Sequence, residues 1–174
     1  MTTYYMYFPF LSCEVKCGAS ALDIADRQNA HSMTLAVRAT VERFRAVKRE
    51  DKVHCQILAF SISRDDRLVR IYGHYAVIDR EDTKYYRYPI RKFDFTDLDG
   101  KEKWTAYRFT KNVYDTWMPM HFKRLCSAID QLPCDWEPDD PPSPEAGCSS
   151  STSVSGGPGL HSGHIVYGAP GAKE

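Results

Sequence analysis

A glutamate and a lysine two positions apart, Glu14 and Lys16, close a short apolar stretch that begins at Phe10. Alternate side chains of a strand share a face, so this carboxylate and ammonium stand side by side, with Cys13, Val15 and Cys17 on the opposite face. Burying charge is expensive unless it is paired. One chemistry that uses such a pair is metal-assisted hydrolysis: the carboxylate holds a divalent ion, and the ammonium positions or activates the attacking water. The structural alternative is an ion pair at a strand end, and for so short and common a triplet that alternative leads on the motif alone. Gln28 and His31, three apart, share a helical face and could line a site beside Glu14 and Lys16, or form a solvated first turn. His74 could serve as a general base, although a histidine hydrogen-bonded within a sheet is the favoured reading.

These groups need elements to hold them. The apolar lead-in and Gly18 mark residues 10–16 as a short buried strand. A helix is expected over residues 21–48, with Ser20 as N-cap and Asp23 and Asp26 at the end of the helix dipole that favours acids. Met33, Val37, Val41 and Phe44 form its apolar stripe, widened by Ala36, Thr40 and Val47. Residues 53–63 are apolar on both faces, which fits a central strand parallel to the first, since the two are joined through a helix. The Glu-x-Lys pair then lies at the C-terminal end of a strand in a strand–helix–strand unit, where ligand sites of α/β sheets gather.

Two more strands are expected. The stretch 68–78 pairs antiparallel with the second strand, placing Tyr72, His74 and Ala76 on one face. The stretch 84–95 is an edge strand, because Pro89 cannot donate to a ladder. Its Tyr85, Tyr86, Arg87, Tyr88, Arg91 and Lys92 interleave rings with positive charge, a pattern that can stack bases and hold phosphates or simply guard an edge. Helical spacing returns over residues 102–132, interrupted near Pro119. The fold class is therefore α/β (α+β), a mixed central sheet flanked by helices. One domain over residues 1–135 is followed by a Pro, Gly and Ser-rich stretch, residues 136–174, expected to be disordered.

The net charge of zero hides an asymmetry: residues before Trp136 carry 22 basic and 18 acidic groups, a balance of +4. That permits contact with nucleic acid without requiring it. Six cysteines at 13, 17, 55, 126, 134 and 148 include no Cys-x-x-Cys pair. Buried free thiols in a reducing compartment are expected ahead of a zinc site. The N-terminus lacks a basic region followed by an apolar run, and no stretch is long enough to cross a membrane, so an intracellular chain is expected, nuclear or cytoplasmic.

The order of strand with Glu14 and Lys16, helix with Gln28, strand, strand resembles the PD-(D/E)XK, or restriction-endonuclease-like, superfamily. Four runs, FLSCEVK from Phe10, ADRQNAHSMTL from Ala25, IYGHY from Ile71 and KEKWTAY from Lys101, are similar to those of a group of fungal domains of unknown function. The resemblance covers roughly residues 8–133. It implies a restriction-endonuclease-like core and hydrolysis of nucleic-acid phosphodiesters with Mg²⁺ or Mn²⁺. Glu14 would be a metal ligand, Lys16 would act on the water, and Gln28 would sit beside the site. The chain departs from that pattern in one respect: the superfamily carries a metal-binding Asp on a preceding strand, and nothing acidic precedes Glu14. Asp23 or Asp26 could take its place only if the helix start folded back over the site. Two expectations follow, a nuclease that has lost its N-terminal part or its full site, and a module of the same fold that binds nucleic acid or protein without catalysis.

Overall fold

The computed structural model describes residues 8–17, 21–79 and 82–132. Strand β1 (Leu11–Val15) leads to the long helix α1 (Ala21–Ala46), and a short 3-10 turn (Glu50–Lys52) precedes β2 (Ile57–Arg64). Strands β3 (Leu68–Asp79) and β4 (Asp82–Asp94) follow, then helices α2 (Thr105–Asn112) and α3 (Met118–Ile129). The sheet order is β1-β2-β3-β4. β1 runs parallel to β2, as a connection through a helix requires, and the other two pairings are antiparallel. This is the mixed, helix-flanked α+β sheet that the sequence implied. The Ser20 cap and the stretch 136–174, expected to be disordered, fall outside the described residues.

β2 is the central strand. Residues 58–63 are buried in succession, because α1 covers one face and the α2–α3 segment the other. Ser61 and Ser63 point toward α1, and the alternating Phe60 and Ile62 point away from it. Under the C-terminal half of α1 the core is dry: Met33, Val37, Val41 and Phe44 pack with Leu58, Ala59, Ala76, Leu125 and Ala128. Each such side chain contributes about 1.5–3 kcal/mol over an exposed position, enough to fix which face of α1 meets the sheet. On the opposite face Ile62, Val69 and Ile71 pack with Phe93, Phe95 and Phe109, while Phe60 meets Phe109 and Trp117 edge-on.

Two irregularities adjust the sheet. β2 slips by one residue between Ile57 and Ala59, and Ile57 then crosses Gly73 so closely that a Cβ there would lie 2.9 Å from Ile57 Cδ1. In β4 the register jumps from Pro89 (opposite Tyr72) to Arg91 (opposite Ile71), leaving Ile90 as the extra residue. Pro89 is tolerated because β4 is an edge strand. The helical interruption expected near Pro119 is a π-helical turn (Val113–Trp117) immediately before it. Pro119 has no N–H to continue the α-helical ladder, and the widened turn absorbs the mismatch.

Two expectations are corrected. β1 is the other edge of the sheet and is half-buried, not the buried strand expected; its Val15 is 57% exposed, since among the described residues β1 pairs with β2 alone. Cys13, Cys17 and Cys55 are exposed free thiols and Cys126 is half-buried, so they are not core residues. Among the described residues no group of three or more His, Cys, Asp or Glu could hold a metal, zinc included.

α1 is tied to both parallel strands by one buried amide. Asn29 donates to the Ile62 carbonyl at 3.0 Å and to Ser63 Oγ at 2.9 Å, and accepts from Ser12 Oγ at 2.6 Å. Asn29→Ala is expected to cost about 2–3 kcal/mol, because it leaves polar groups of both strands unsatisfied. Urea unfolding of the two proteins at equal m-value would measure it, and a loss below about 0.5 kcal/mol would show that water replaces the amide.

Candidate functional site

The Glu14 and Lys16 side chains do meet at the end of β1. Lys16 Nζ lies 3.6 Å from Glu14 Oε2, and each side chain is about one-third exposed (31% and 35%). Lys16 follows the last residue of β1 and its N–H donates to the Arg64 carbonyl at 3.0 Å, so the ammonium is anchored at the strand end. Glu14 stands opposite Ser63, Ser63 opposite Arg70, and Arg70 opposite Lys92. Residues opposite one another share a face, so a carboxylate, a hydroxyl, a guanidinium and an ammonium form one row across all four strands, on the side covered by α1.

The N-terminal half of α1 roofs this row with polar groups. Arg70 Nη1 donates to Asp26 Oδ2 at 2.5 Å and to Asp23 Oδ1 at 3.0 Å. Tyr72 donates its hydroxyl to Asp26 Oδ2 at 3.4 Å, and the Arg87 guanidinium lies 4.5 Å from the centre of the Tyr72 ring. Arg87 also donates to the Asp26 backbone carbonyl. Burial, and then the negative charge of Asp26, push the Tyr72 hydroxyl up against the opposing pull of Arg87 and Arg70, so it remains a donor at neutral pH. Burial opposes the charge on Arg70, but its hydrogen bonds to Asp26 and Asp23 more than offset this and raise it. Asp26 is buried, and its Oδ1 has no hydrogen-bond partner among the described residues.

Gln28 and His31 are exposed, on the sides of α1 that do not meet the sheet. Their place is taken by Asp26, which the sequence allowed at the site only if the helix start folded back over it, and by Asn29, which the sequence reading did not connect to Glu14. A signal was present: the stripe of Met33, Val37 and Val41, continued backward by four and then three residues, falls on Asn29 and Asp26. Arg70 and Ser63 could be found only once strand register was known.

The donor set does not fit a Mg²⁺ or Mn²⁺ ion held by protein alone. Glu14 offers one carboxylate, already beside Lys16, and of the Asp26 carboxylate Oδ2 is taken up by Arg70 and Tyr72 while Oδ1 is buried. Mg²⁺ sites of one carboxylate depend on substrate phosphates for the rest of their ligands. What the arrangement offers without a metal is a cationic cleft of about 390 Å³ next to the row, lined by Arg70, Tyr72, Pro89, Ile90, Arg91 and Lys92. No carboxylate lines it, and Lys92 makes no ion pair among the described residues, whereas Arg91 donates to Glu102 Oε1 at 2.7 Å. The alternation of β4 divides the ring-and-charge pattern: Tyr85 packs on the α1 side, while Tyr86 stacks on Tyr75 on the other face at 5.5 Å.

His74 is buried on the α1 face and shares a 2.8 Å hydrogen bond with Ser61 Oγ. Burial, and then the charge of Arg87, lower its pKa to about 4. His121, stacked on Trp117, is likewise lowered to about 4 by burial and then Arg124. His74 is a sheet histidine, neutral at physiological pH.

The chain matches a family model described as a domain of unknown function (DUF7924) over residues 1–129. No curated protein and no solved structure matches it. No helix among the described residues is long and apolar enough to cross a membrane.

The two histidines set a pH dependence. Between pH 6.5 and about 4 the unfolded chain takes up a proton at residue 74 and the folded chain does not. Stability is therefore complete above pH 6.5 and falls as the pH drops, by up to about 1.4 kcal/mol per unit and roughly 3 kcal/mol in all from this residue. Thermal melts from pH 7.5 to 4.5 should show a falling Tm, and His74→Gln should flatten part of the fall, leaving the share of His121. A Tm that rises or stays level on acidification would contradict this.

Proposed function

The chain belongs to the DUF7924 family, a domain of unknown function, so its activity has to be argued from the site, and we propose that it binds nucleic acid through the phosphodiester backbone without cleaving it. The observation that carries this reading is the open cleft lined by Arg70, Arg91 and Lys92, in which Lys92 makes no ion pair among the described residues while Arg70 is held by Asp26 and Asp23 and Arg91 by Glu102. Cations on a sheet face attract phosphates, and Tyr72 adds a hydroxyl donor and a ring. The balance of +4 over the part of the chain before Trp136 permits the same partner. In this reading the Glu14–Lys16 pair is the remnant of a PD-(D/E)XK-like centre, and its carboxylate lacks a second one to complete a metal site. The partner would place the chain's work in the nucleus or the cytoplasm.

A second reading has an observation of its own. Glu14 and Lys16 are adjacent, one-third exposed and at the same end of the sheet as the cleft, the relationship that metal-dependent phosphodiester hydrolysis would need. Glu14 would then be the metal ligand and Lys16 would hold the water. Gln28 is exposed on α1.

Two measurements on the full chain separate these readings. Binding of labelled single-stranded and duplex DNA should weaken steeply with salt, and Arg91→Gln with Lys92→Gln should reduce the slope of log Kd against log salt by about one per removed cation. Arg70 is left alone, because removing it would strand the buried Asp26. Plasmid, single-stranded DNA and RNA incubated with Mg²⁺ or Mn²⁺ should remain intact. Cleavage that disappears in both Glu14→Ala and Lys16→Ala would overturn the binding-only reading in favour of a hydrolase.

A further inference from the structure

A second pocket lies on the other face of the sheet, at the same end as Glu14 and Lys16. It has a volume of about 380 Å³, within the range of ligand sites, and Arg64, Phe93, Phe95, Lys103 and Trp104 line it. Arg64 ends β2 opposite Val15, and its backbone carbonyl accepts the Lys16 N–H. One peptide unit therefore separates the two faces at this corner of the sheet.

Three features give the pocket a chemistry. Its floor is fixed, because Phe93 and Phe95 pack on the buried Val69 and Ile71. Its wall is an open ring: Trp104 is 57% exposed, with the Tyr107 ring edge-on to it at 6.2 Å. Its charge is positive and uncompensated. Arg64 sits 4.3 Å from the centre of the Phe95 ring and the Lys103 ammonium 5.6 Å from that of Trp104, neither has a carboxylate partner among the described residues, and no Asp or Glu lines the cavity. An exposed tryptophan beside two cations that lack carboxylate partners among the described residues is matched by a ligand with an aromatic plane and a negative charge.

We infer that this pocket binds an unstacked base and its adjoining phosphate in a single-stranded nucleic acid, with Trp104 against the base and Arg64 and Lys103 on the phosphate. A base inside a duplex offers its faces only to its neighbours, so a side-chain wall of this kind selects single strands. The inference rests on the proposed nucleic-acid reading and adds the form of the ligand. Continuity supports it, since a strand leaving this pocket over Arg64 arrives at Lys16.

The test uses the full chain with a labelled oligothymidylate of about ten nucleotides, read by anisotropy and by tryptophan quenching, beside the same strand hybridised into a duplex. The single strand should bind more tightly than the duplex. Trp104→Ala should weaken single-strand binding on the order of tenfold and remove most of the quenching. Arg64→Gln and Lys103→Gln should each lower the salt slope by about 0.7. Trp104 is exposed, so its variant should melt like the wild type, and the melt is recorded to verify it. Single-strand binding unchanged in Trp104→Ala overturns the inference, as does equal displacement of the oligonucleotide by polyglutamate of the same charge, which would make the pocket an acidic-peptide site. Single-strand binding that depends on Arg91 and Lys92 but ignores Trp104 would sink the pocket and keep the cleft. Single-strand binding that depends on Trp104 but ignores Arg91 and Lys92 would do the reverse.

Discussion

A buried amide must satisfy its hydrogen bonds where it lies, and at Asn29 that requirement joins three elements. Its donors reach the Ile62 carbonyl and Ser63 on β2, and its acceptor takes the Ser12 hydroxyl on β1. Parallel strands joined through a helix have no turn to fix their register. Here the helix itself carries the tie, and β1 is held against β2 with Glu14 opposite Ser63. An apolar residue at position 29 would leave the buried Ser63 and the half-buried Ser12 without this partner, so packing alone could not substitute for it. The consequence is an interior with two characters: dry under Met33, Val37, Val41 and Phe44, polar under Asp26 and Asn29.

The polar half is organised by Arg70. Its guanidinium draws Asp23 and Asp26 of α1 down onto β3, and Asp26 in turn receives Tyr72. Arg87 closes the group from β4 through the Asp26 carbonyl and the Tyr72 ring. Such a group is weak evidence for stability, since desolvating it costs much of what the pairing returns. Its effect is positional: it commits the one buried carboxylate near the row to a cation. That commitment is why the charged end of the sheet offers cations to a ligand and not a pair of carboxylates to a metal.

Edge and coverage decide what else is available. β1 and β4 are both edges, and the helices cover the sheet unequally. At the corner where β1 and β2 end, Glu14 and Lys16 occupy one face and Arg64, Lys103 and Trp104 border the other. The backbone bond from Lys16 to Arg64 joins them, so this corner concentrates the unusual chemistry of the molecule.

Much of the architecture follows from local pattern. Apolar alternation and continuous apolar runs set the four strands, the stripe from Met33 to Phe44 set the buried side of α1, and Pro89 and Pro119 marked an edge and a helix irregularity, because each rests on a period or a missing N–H that acts within a few residues. The Glu14–Lys16 contact was equally local. Which groups join them depended on tertiary structure: the face of α1 that meets the strands excluded Gln28 and brought in Asp26 and Asn29, and antiparallel register brought Arg70 and Lys92 into line with Glu14. Exposure of Cys13, Cys17 and Val15 was likewise decided by β1 standing at the sheet's edge, since strand order is a property of pairings far apart in the chain and leaves no trace in the composition of the strand itself.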